Sequence, residues 1–119
     1  MNIEEYRSYC LLKKGVTESF PFPKLTNILV FKVLGKMFTA TDIDTFQSIS
    51  VKAHPNDIEE LRARFSCLDT QPYMSKKHWN KVLLDNSVAD SFIYKWIDTS
   101  YELVVKNLSK QQQQELKTL

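Results

Sequence analysis

The side chains of this chain that are best suited to contact an anion are concentrated in one stretch, PYMSKKHWNKVLL, at positions 72–84. It holds three lysines, a histidine and a tryptophan. Alternate residues of a β-strand face opposite sides of the sheet. On a strand here, Trp79 shares a side with Lys77 and Lys81. The opposite side carries His78, Asn80, Val82 and Leu84. If Val82 and Leu84 face the core, the ring of Trp79 faces away from it.

The same alternation adds two lysines to the side that Trp79 occupies, which we term the open face because no helix is expected to cover it. In ILVFKV the alternating apolar residues leave Lys32 on that face, and in SISVKA they leave Lys52. Amines around an aromatic ring suit a nucleic acid, since they neutralise phosphates while the ring stacks on bases. We therefore predict a DNA-binding surface formed by Lys32, Lys52, Lys76, Lys77, His78, Trp79 and Lys81.

A plainer interpretation of Trp79 stays open beside this one. Tryptophan in a small domain usually packs in or near the core, so the ring could lie against the first strand or the final helix with lysine stems over it. Leu83 also falls on the open face and makes it more apolar, and a shift of one residue in register would reverse every assignment. An apolar open face, or a sheet edge, favours a protein partner or self-association.

The sequence lacks the residue patterns that most kinds of catalysis require. The two glycines, Gly15 and Gly35, are needed at a helix end and a hairpin turn, which leaves none for a phosphate-binding loop. His54, His78 and Cys67 lack metal-ligand spacing, and no carboxylate pair stands out. We expect a non-enzymatic protein without metal or cofactor. A ligand pocket or enzyme site including His78, Trp79 and Tyr73 is the third hypothesis.

Composition indicates one globular domain spanning residues 1–119. The net charge of +2 is too small for attraction of the whole molecule to DNA or membrane, so any such preference is local. Cys10 and Cys67 are expected to be buried, reduced thiols. The acidic start MNIEEYR lacks a secretion signal, and the longest apolar run, ILVF, is far too short to span a membrane. We expect a cytoplasmic protein that does not contact membranes.

Periodicity places the elements that must position these residues. A capped helix is predicted from Ile3 to Lys14, and another behind Pro55 and Asn56. Further helices are predicted over the apolar stripe from Phe92 to Leu108, which we expect to be core, and after a cap at Ser109. Between them lie a proline-rich edge strand VTESFPFPK, a hairpin turning at Gly35, the strand SISVKA and the strand or strands of 72–84. Because the helices are grouped, we predict an α+β, two-layer fold with an antiparallel sheet of about five strands and helices on one face.

Four ordered segments carry a family resemblance across nearly the whole chain: GVTESFPF, FKVLGKMF, KKHWNKVLLD and SYELVVKNL. They resemble the MmcQ/YjbR family of small bacterial cytoplasmic proteins. The resemblance implies a two-layer α+β domain related in shape to secretion chaperones and to the frataxin-like arrangement. It also implies a proposed "double wing" mode of DNA binding.

The chain departs from that family pattern at three positions. Pro23 stands where relatives tend to have glycine, Leu83 where they tend to have an acidic residue, and Asn86 replaces the usual turn glycine. These changes make the open face more apolar and favour a protein partner or self-association.

Overall fold

Helix α1 begins where the sequence predicts. In the computed structural model, which describes residues 1–119, α1 spans Ile3–Leu11. The backbone N–H of Glu5 donates to Asn2 Oδ1 at 2.8 Å, and the backbone N–H of Asn2 donates to Glu5 Oε1 at 3.0 Å. This reciprocal cap satisfies two N–H groups that a helix start leaves free. The helix ends at Leu11 instead of the predicted Lys14, and Gly15, with φ of 73°, precedes the first strand.

Six antiparallel strands form one sheet, close to the predicted number. They are β1 (Val16–Ser19), β2 (Ile28–Val33), β3 (Lys36–Asp42), β4 (Ser48–Lys52), β5 (Leu68–Thr70) and β6 (Trp79–Leu83). Their order across the sheet is β1-β2-β3-β4-β6-β5. Strand β5 lies before the stretch 72–84, so that stretch supplies only β6 and the loop preceding it.

The β2–β3 hairpin turns at Leu34 and Gly35, whose φ angles of 45° and 85° fit a two-residue type I′ turn. The pairing then shifts between Phe31 and Lys32, which leaves Phe38 as an extra residue on β3. This bulge directs Phe38 into the core, where its ring meets that of Tyr101 edge-on at 5.4 Å. The bulge therefore lets one strand contribute an aromatic side chain to the core without breaking the alternation on either side.

The helices α2 (Ile58–Arg64), α3 (Asp90–Lys106) and α4 (Lys110–Lys117) complete the chain. Helices α1, α2 and α3 contact the sheet, which confirms the predicted α+β fold. The core between the layers contains Leu29, Phe31, Val33, Ile49, Val51, Val82, Ile93, Ile97 and Val104. Helix α4 has the predicted cap, in which the N–H of Gln112 donates to Ser109 Oγ, and its Leu116 is buried in the same core.

Buried hydroxyl groups join the two layers. Ser100 of α3 donates to the carbonyl oxygen of Phe38 and accepts from the backbone N–H of Lys52 at 2.7 Å. Tyr6 of α1 and Thr39 of β3 share a hydrogen bond of 2.9 Å. Because buried polar groups cost free energy unless they are paired, these contacts fix where the helices sit on the sheet.

Both cysteines are free and buried, as predicted. Burial raises the pKa of the Cys10 thiol to about 12, although nearby Lys13 acts in the opposite direction. The thiol of Cys10 is therefore protonated, and unreactive, at neutral pH.

None of the four helices combines the length and the apolar character that crossing a membrane requires.

Substitution of Gly15 by alanine tests how α4 docks. Gly15 and Gly35 both have positive φ, so alanine at either position should cost about 1 kcal/mol of backbone strain. A Cβ atom at Gly15 would also lie 2.7 Å from Leu116 Cδ1, whereas nothing lies within 4 Å of one at Gly35. Urea denaturation should show a larger loss of stability for Gly15→Ala than for Gly35→Ala. Equal losses would mean that α4 does not rest on Gly15 in solution.

Candidate nucleic-acid interface

Three of the predicted lysines lie on strands of the open face. Lys32 follows the buried Phe31 of β2 and faces the other way. Lys52 pairs with Trp79 between β4 and β6, and Lys81 pairs with Ser50. All three side chains are partly exposed. Strands β4 and β6 are neighbours, and β2 is separated from β4 by β3 alone, so the amines share one surface.

Trp79 faces this side of the sheet but is not available to stack on a base. Asn80 and Val82 face the opposite side of β6 from Trp79. Both are buried, and Val82 belongs to the core between the layers. The side chain of Trp79 is only 8% exposed, and Lys52 Nζ lies 5.6 Å from its ring centroid. The prediction of an exposed indole is therefore wrong, and a lysine over the ring, as in the plainer interpretation, is what the structure has.

Lys76, Lys77 and His78 precede β6 in a turn, so the prediction that Lys77 lies on the strand is wrong. The backbone N–H groups of His78 and Trp79 both donate to the carbonyl oxygen of Ser75, at 3.2 and 2.9 Å. These turn hydrogen bonds replace strand pairing before residue 79. The side chains of Lys76, Lys77 and His78 are all exposed, and they form a basic loop at the end of the open face.

Arg62 of α2 holds this loop in place. Its Nε donates to Asn80 Oδ1 at 2.7 Å, and its Nη2 donates to the carbonyl oxygens of Lys76 and Trp79. A guanidinium group presents several donors in one plane, so a single side chain can hold three acceptors. This role could not be predicted from the sequence, in which Arg62 has the pattern of an ordinary surface residue of an amphipathic helix.

The centre of the open face is a groove of about 390 Å³. Its floor includes Ala40 and Ser50, and Ser50 Oγ accepts a hydrogen bond of 2.6 Å from Gln71 Nε2. One wall comes from the segment 20–27 between β1 and β2, and the other from the segment 71–78 between β5 and β6. The small floor residues and the two projecting segments together make a trough in the sheet surface.

Exposed aromatic side chains lie on both walls of the groove. Phe22 is 41% exposed, and Tyr73 is fully exposed at a backbone position with φ of 72°. A non-glycine residue in this conformation is uncommon, and the Tyr73 ring that it carries lies exposed on the groove wall. Phe22 and Tyr73 are therefore the exposed aromatic side chains of the open face, which the sequence predicts Trp79 to be. The proline beside each of them marks an irregular segment, but gives no clue to where the ring points.

The lysines of the open face have no carboxylate partner. The ion pairs of the protein join the Met1 amino group to Asp90, Arg7 to Glu18, and Lys13 to Asp98. The acidic side chains that do reach the open face are few.

Among those acidic side chains, Asp69 lies opposite Lys81 in the register of β5 and β6, but the two side chains form no ion pair. Asp42 lines the groove, and hydrogen bonds from the Asn27 side chain and the Asp44 backbone lower the pKa of its carboxyl group. The face thus carries an excess of positive charge in a protein of nearly neutral total charge.

Two of the positions that depart from the family pattern have clear structural outcomes. The side chain of Leu83 is partly buried and packs against the core cluster, so it does not enlarge the apolar area of the open face as predicted. Asn86 has φ of 64°, a left-handed conformation that asparagine tolerates better than most residues. The substitution for glycine therefore preserves the turn.

The residues of the predicted ligand pocket do not share one cavity. Tyr73 lines the groove, Trp79 lines a separate recess beside Lys52, and His78 lines neither. No group of three or more His, Cys, Asp or Glu residues is placed to hold a metal ion.

Comparison with known proteins agrees with the fold. The YjbR family model matches residues 11–103. Uncharacterized protein YjbR of Escherichia coli (strain K12) is 34% identical over 112 residues, which cover 93% of each chain.

Two solved structures are also similar. The crystal structure of Deinococcus radiodurans protein DR2400, a DUF419 domain, has a TM-score of 0.87 at 34% identity, covering 98% of this chain and 88% of that one. A protein from Pseudomonas syringae matches with a TM-score of 0.73 at 23% identity, covering 87% of this chain and 98% of that one, which shows the fold alone.

Proposed function

This chain belongs to the YjbR family, and we propose that it is a non-enzymatic DNA-binding protein whose open face contacts the phosphate backbone. The single observation that carries this proposal is the set of lysines without carboxylate partners on that face: Lys32, Lys52, Lys76, Lys77 and Lys81. Amines without carboxylate partners are free to neutralise phosphates, which releases the cations condensed on the DNA.

The two walls of the groove would act together on the DNA. The basic loop at residues 76–78 contacts backbone phosphates, while Lys32, Lys52 and Lys81 provide positive charge along the sheet. Tyr73 and Phe22 project from opposite walls and would contact the sugar or an unstacked base. Trp79 acts indirectly, because its buried ring supports the Lys52 amine.

The double variant Lys77→Ala/Lys81→Ala tests the proposal. We expect wild-type protein to bind duplex DNA at low salt, with affinity falling steeply as salt rises. Each lysine that contacts a phosphate contributes about 1 to the slope of log affinity against log salt concentration, so the variant should lose about 2. Fluorescence anisotropy of a labelled duplex measures both quantities.

The matched control is Lys106→Ala/Lys110→Ala, which removes two exposed lysines from the ends of α3 and α4. It alters the net charge equally but should leave the salt slope of the wild type unchanged. Absence of binding by the wild type at low salt, or equal slopes for the two double variants, would contradict DNA binding by this face.

A second candidate is a protein-interaction module, and the exposed apolar side chains around the groove favour it. Phe20, Phe22 and Leu25 are all at least two-fifths exposed in one short segment. With the lysines nearby, they fit an extended partner segment that carries both apolar and acidic residues. A peptide of that kind should lose affinity on Leu25→Ser, because Leu25 lines the groove, while DNA binding through the lysines should change little.

A further inference from the structure

A second cavity, of about 380 Å³, lies on the opposite side of the sheet from the groove. It is a cleft between α2 and α3, and its floor includes Val51, Leu68 and Asn80. The core residues on this floor close it from below. Its volume is within the range of sites that hold small organic ligands.

Three aromatic rings form one wall of the cleft. The ring centroid of Phe65 lies 5.1 Å from that of Trp96 and 5.6 Å from that of Phe92. The apolar stripe of α3 predicted all of these α3 side chains to be core, yet Phe92 is 43% exposed and Trp96 is partly exposed. That prediction is wrong for Phe92, whereas Trp96 does pack against the core cluster and is only partly exposed.

A buried amide group at the floor offers a hydrogen bond that no residue of the protein accepts. Asn80 is only 1% exposed, and its Oδ1 accepts from Arg62 Nε at 2.7 Å. Since a guanidinium group can only donate, the orientation of the amide is fixed, and Nδ2 is left as a donor without a partner. Asn80 lines the floor of the cleft, which is where an acceptor for Nδ2 would sit.

The charged residues around the cleft favour an anion at its floor. Arg64 and Lys95 line the walls without ion-pair partners, and the cation of Arg62 lies directly behind Asn80. Asp57 and Glu60 also line the cleft. They lie toward the start of α2, about 12 Å and about 7.5 Å respectively from Phe65 along the helix axis at 1.5 Å per residue.

We propose that this cleft binds a small planar aromatic carboxylate. The ring lies against Phe65, Phe92 and Trp96, where edge-to-face contacts stabilise it. A carboxylate oxygen accepts the hydrogen bond from Asn80 Nδ2, whose positive character the adjacent Arg62 increases. Asn80 faces the cleft while Trp79 and Lys81 face the open face, so this site does not depend on the proposed DNA binding.

Two indole compounds of opposite charge test the proposal by nitrogen–proton NMR of the labelled protein. Indole-3-acetate carries the carboxylate, and tryptamine carries an ammonium group on the same ring. We expect indole-3-acetate to shift the Asn80 side-chain amide and Trp96 indole resonances in a saturable manner. Tryptamine should leave the Asn80 amide resonance unshifted, because its ammonium group cannot accept a hydrogen bond.

Two phenylalanine variants with matched exposure locate the binding. Phe92→Ser removes a ring from the cleft wall, and its affinity for indole-3-acetate should fall about tenfold. Phe22→Ser removes a ring of similar exposure from the groove, and affinity should not change. Lys95→Gln, at an exposed position, should weaken binding of indole-3-acetate.

The proposal would be overturned by any of three results: no saturable shift of Asn80 and Trp96 with indole-3-acetate, an equal response to tryptamine, or equal affinities of Phe92→Ser and Phe22→Ser.

Discussion

Replacement of Phe38 by alanine is expected to lower the free energy of unfolding by about 3–5 kcal/mol. The side chain is fully buried and packs edge-on against Tyr101. It is also the extra residue of the β3 bulge, and its carbonyl oxygen accepts from Ser100. The surrounding residues are held by strand pairing on both sides, so the cavity cannot collapse easily, and the loss falls at the upper end of this range.

The control for this variant is Phe20→Ala, which truncates a half-exposed ring in the segment between β1 and β2. Its effect should be small, as for most surface substitutions. Urea denaturation followed by far-ultraviolet circular dichroism measures both variants. If Phe38→Ala proved no more destabilising than Phe20→Ala, the bulge would not direct Phe38 into the core.

Replacement of Arg62 by leucine is expected to cost about 1–3 kcal/mol, because the buried Asn80 Oδ1 would lose its only donor. The carbonyl oxygens of Lys76 and Trp79 would lose the same partner. The loop at residues 71–78 should therefore open more readily than the rest of the sheet. DNA affinity should also fall, since the loop lysines would have to be ordered on binding.

Hydrogen exchange separates the local effect from the global one. In Arg62→Leu, the amides of residues 76–79 should exchange faster than the loss of global stability alone predicts. Arg64→Leu is the matched control, because Arg64 lies on the same helix and makes none of these hydrogen bonds. Unchanged exchange at residues 76–79 in Arg62→Leu would rule out a role for Arg62 in holding the loop.

Much of the fold could be predicted because its signals are local. The cap at Asn2, the turn at Gly35 and the cap at Ser109 each depend on residues close in sequence. Strand alternation likewise placed Lys32 and Lys81 on the side opposite the core, since a period of two leaves only two choices. Helix α1 ends three residues before the predicted Lys14, because helix ends depend on competing turns that periodicity does not describe.

The candidate sites were harder to predict because burial depends on segments without periodicity. Alternation gave the direction of Trp79 correctly, but not that the Lys52 side chain lies over its ring. In the same way, the pattern of α3 identified Phe92 and Trp96 as members of an apolar stripe. It could not reveal that the seven-residue α2 leaves both side chains partly exposed. Contacts between distant elements decide such cases, and a single sequence does not encode them as a pattern.

The outermost strands of the sheet have a consequence for how the protein behaves when concentrated. Strand β1 has four residues and β5 has three, and Pro21 and Pro72 follow them closely. These short edge strands have few free backbone groups with which a neighbouring molecule could pair to extend the sheet. The prolines have no backbone N–H to donate in such pairing. Copies of this chain should therefore resist edge-to-edge assembly into fibres. The protein should stay in solution even though the groove exposes apolar side chains.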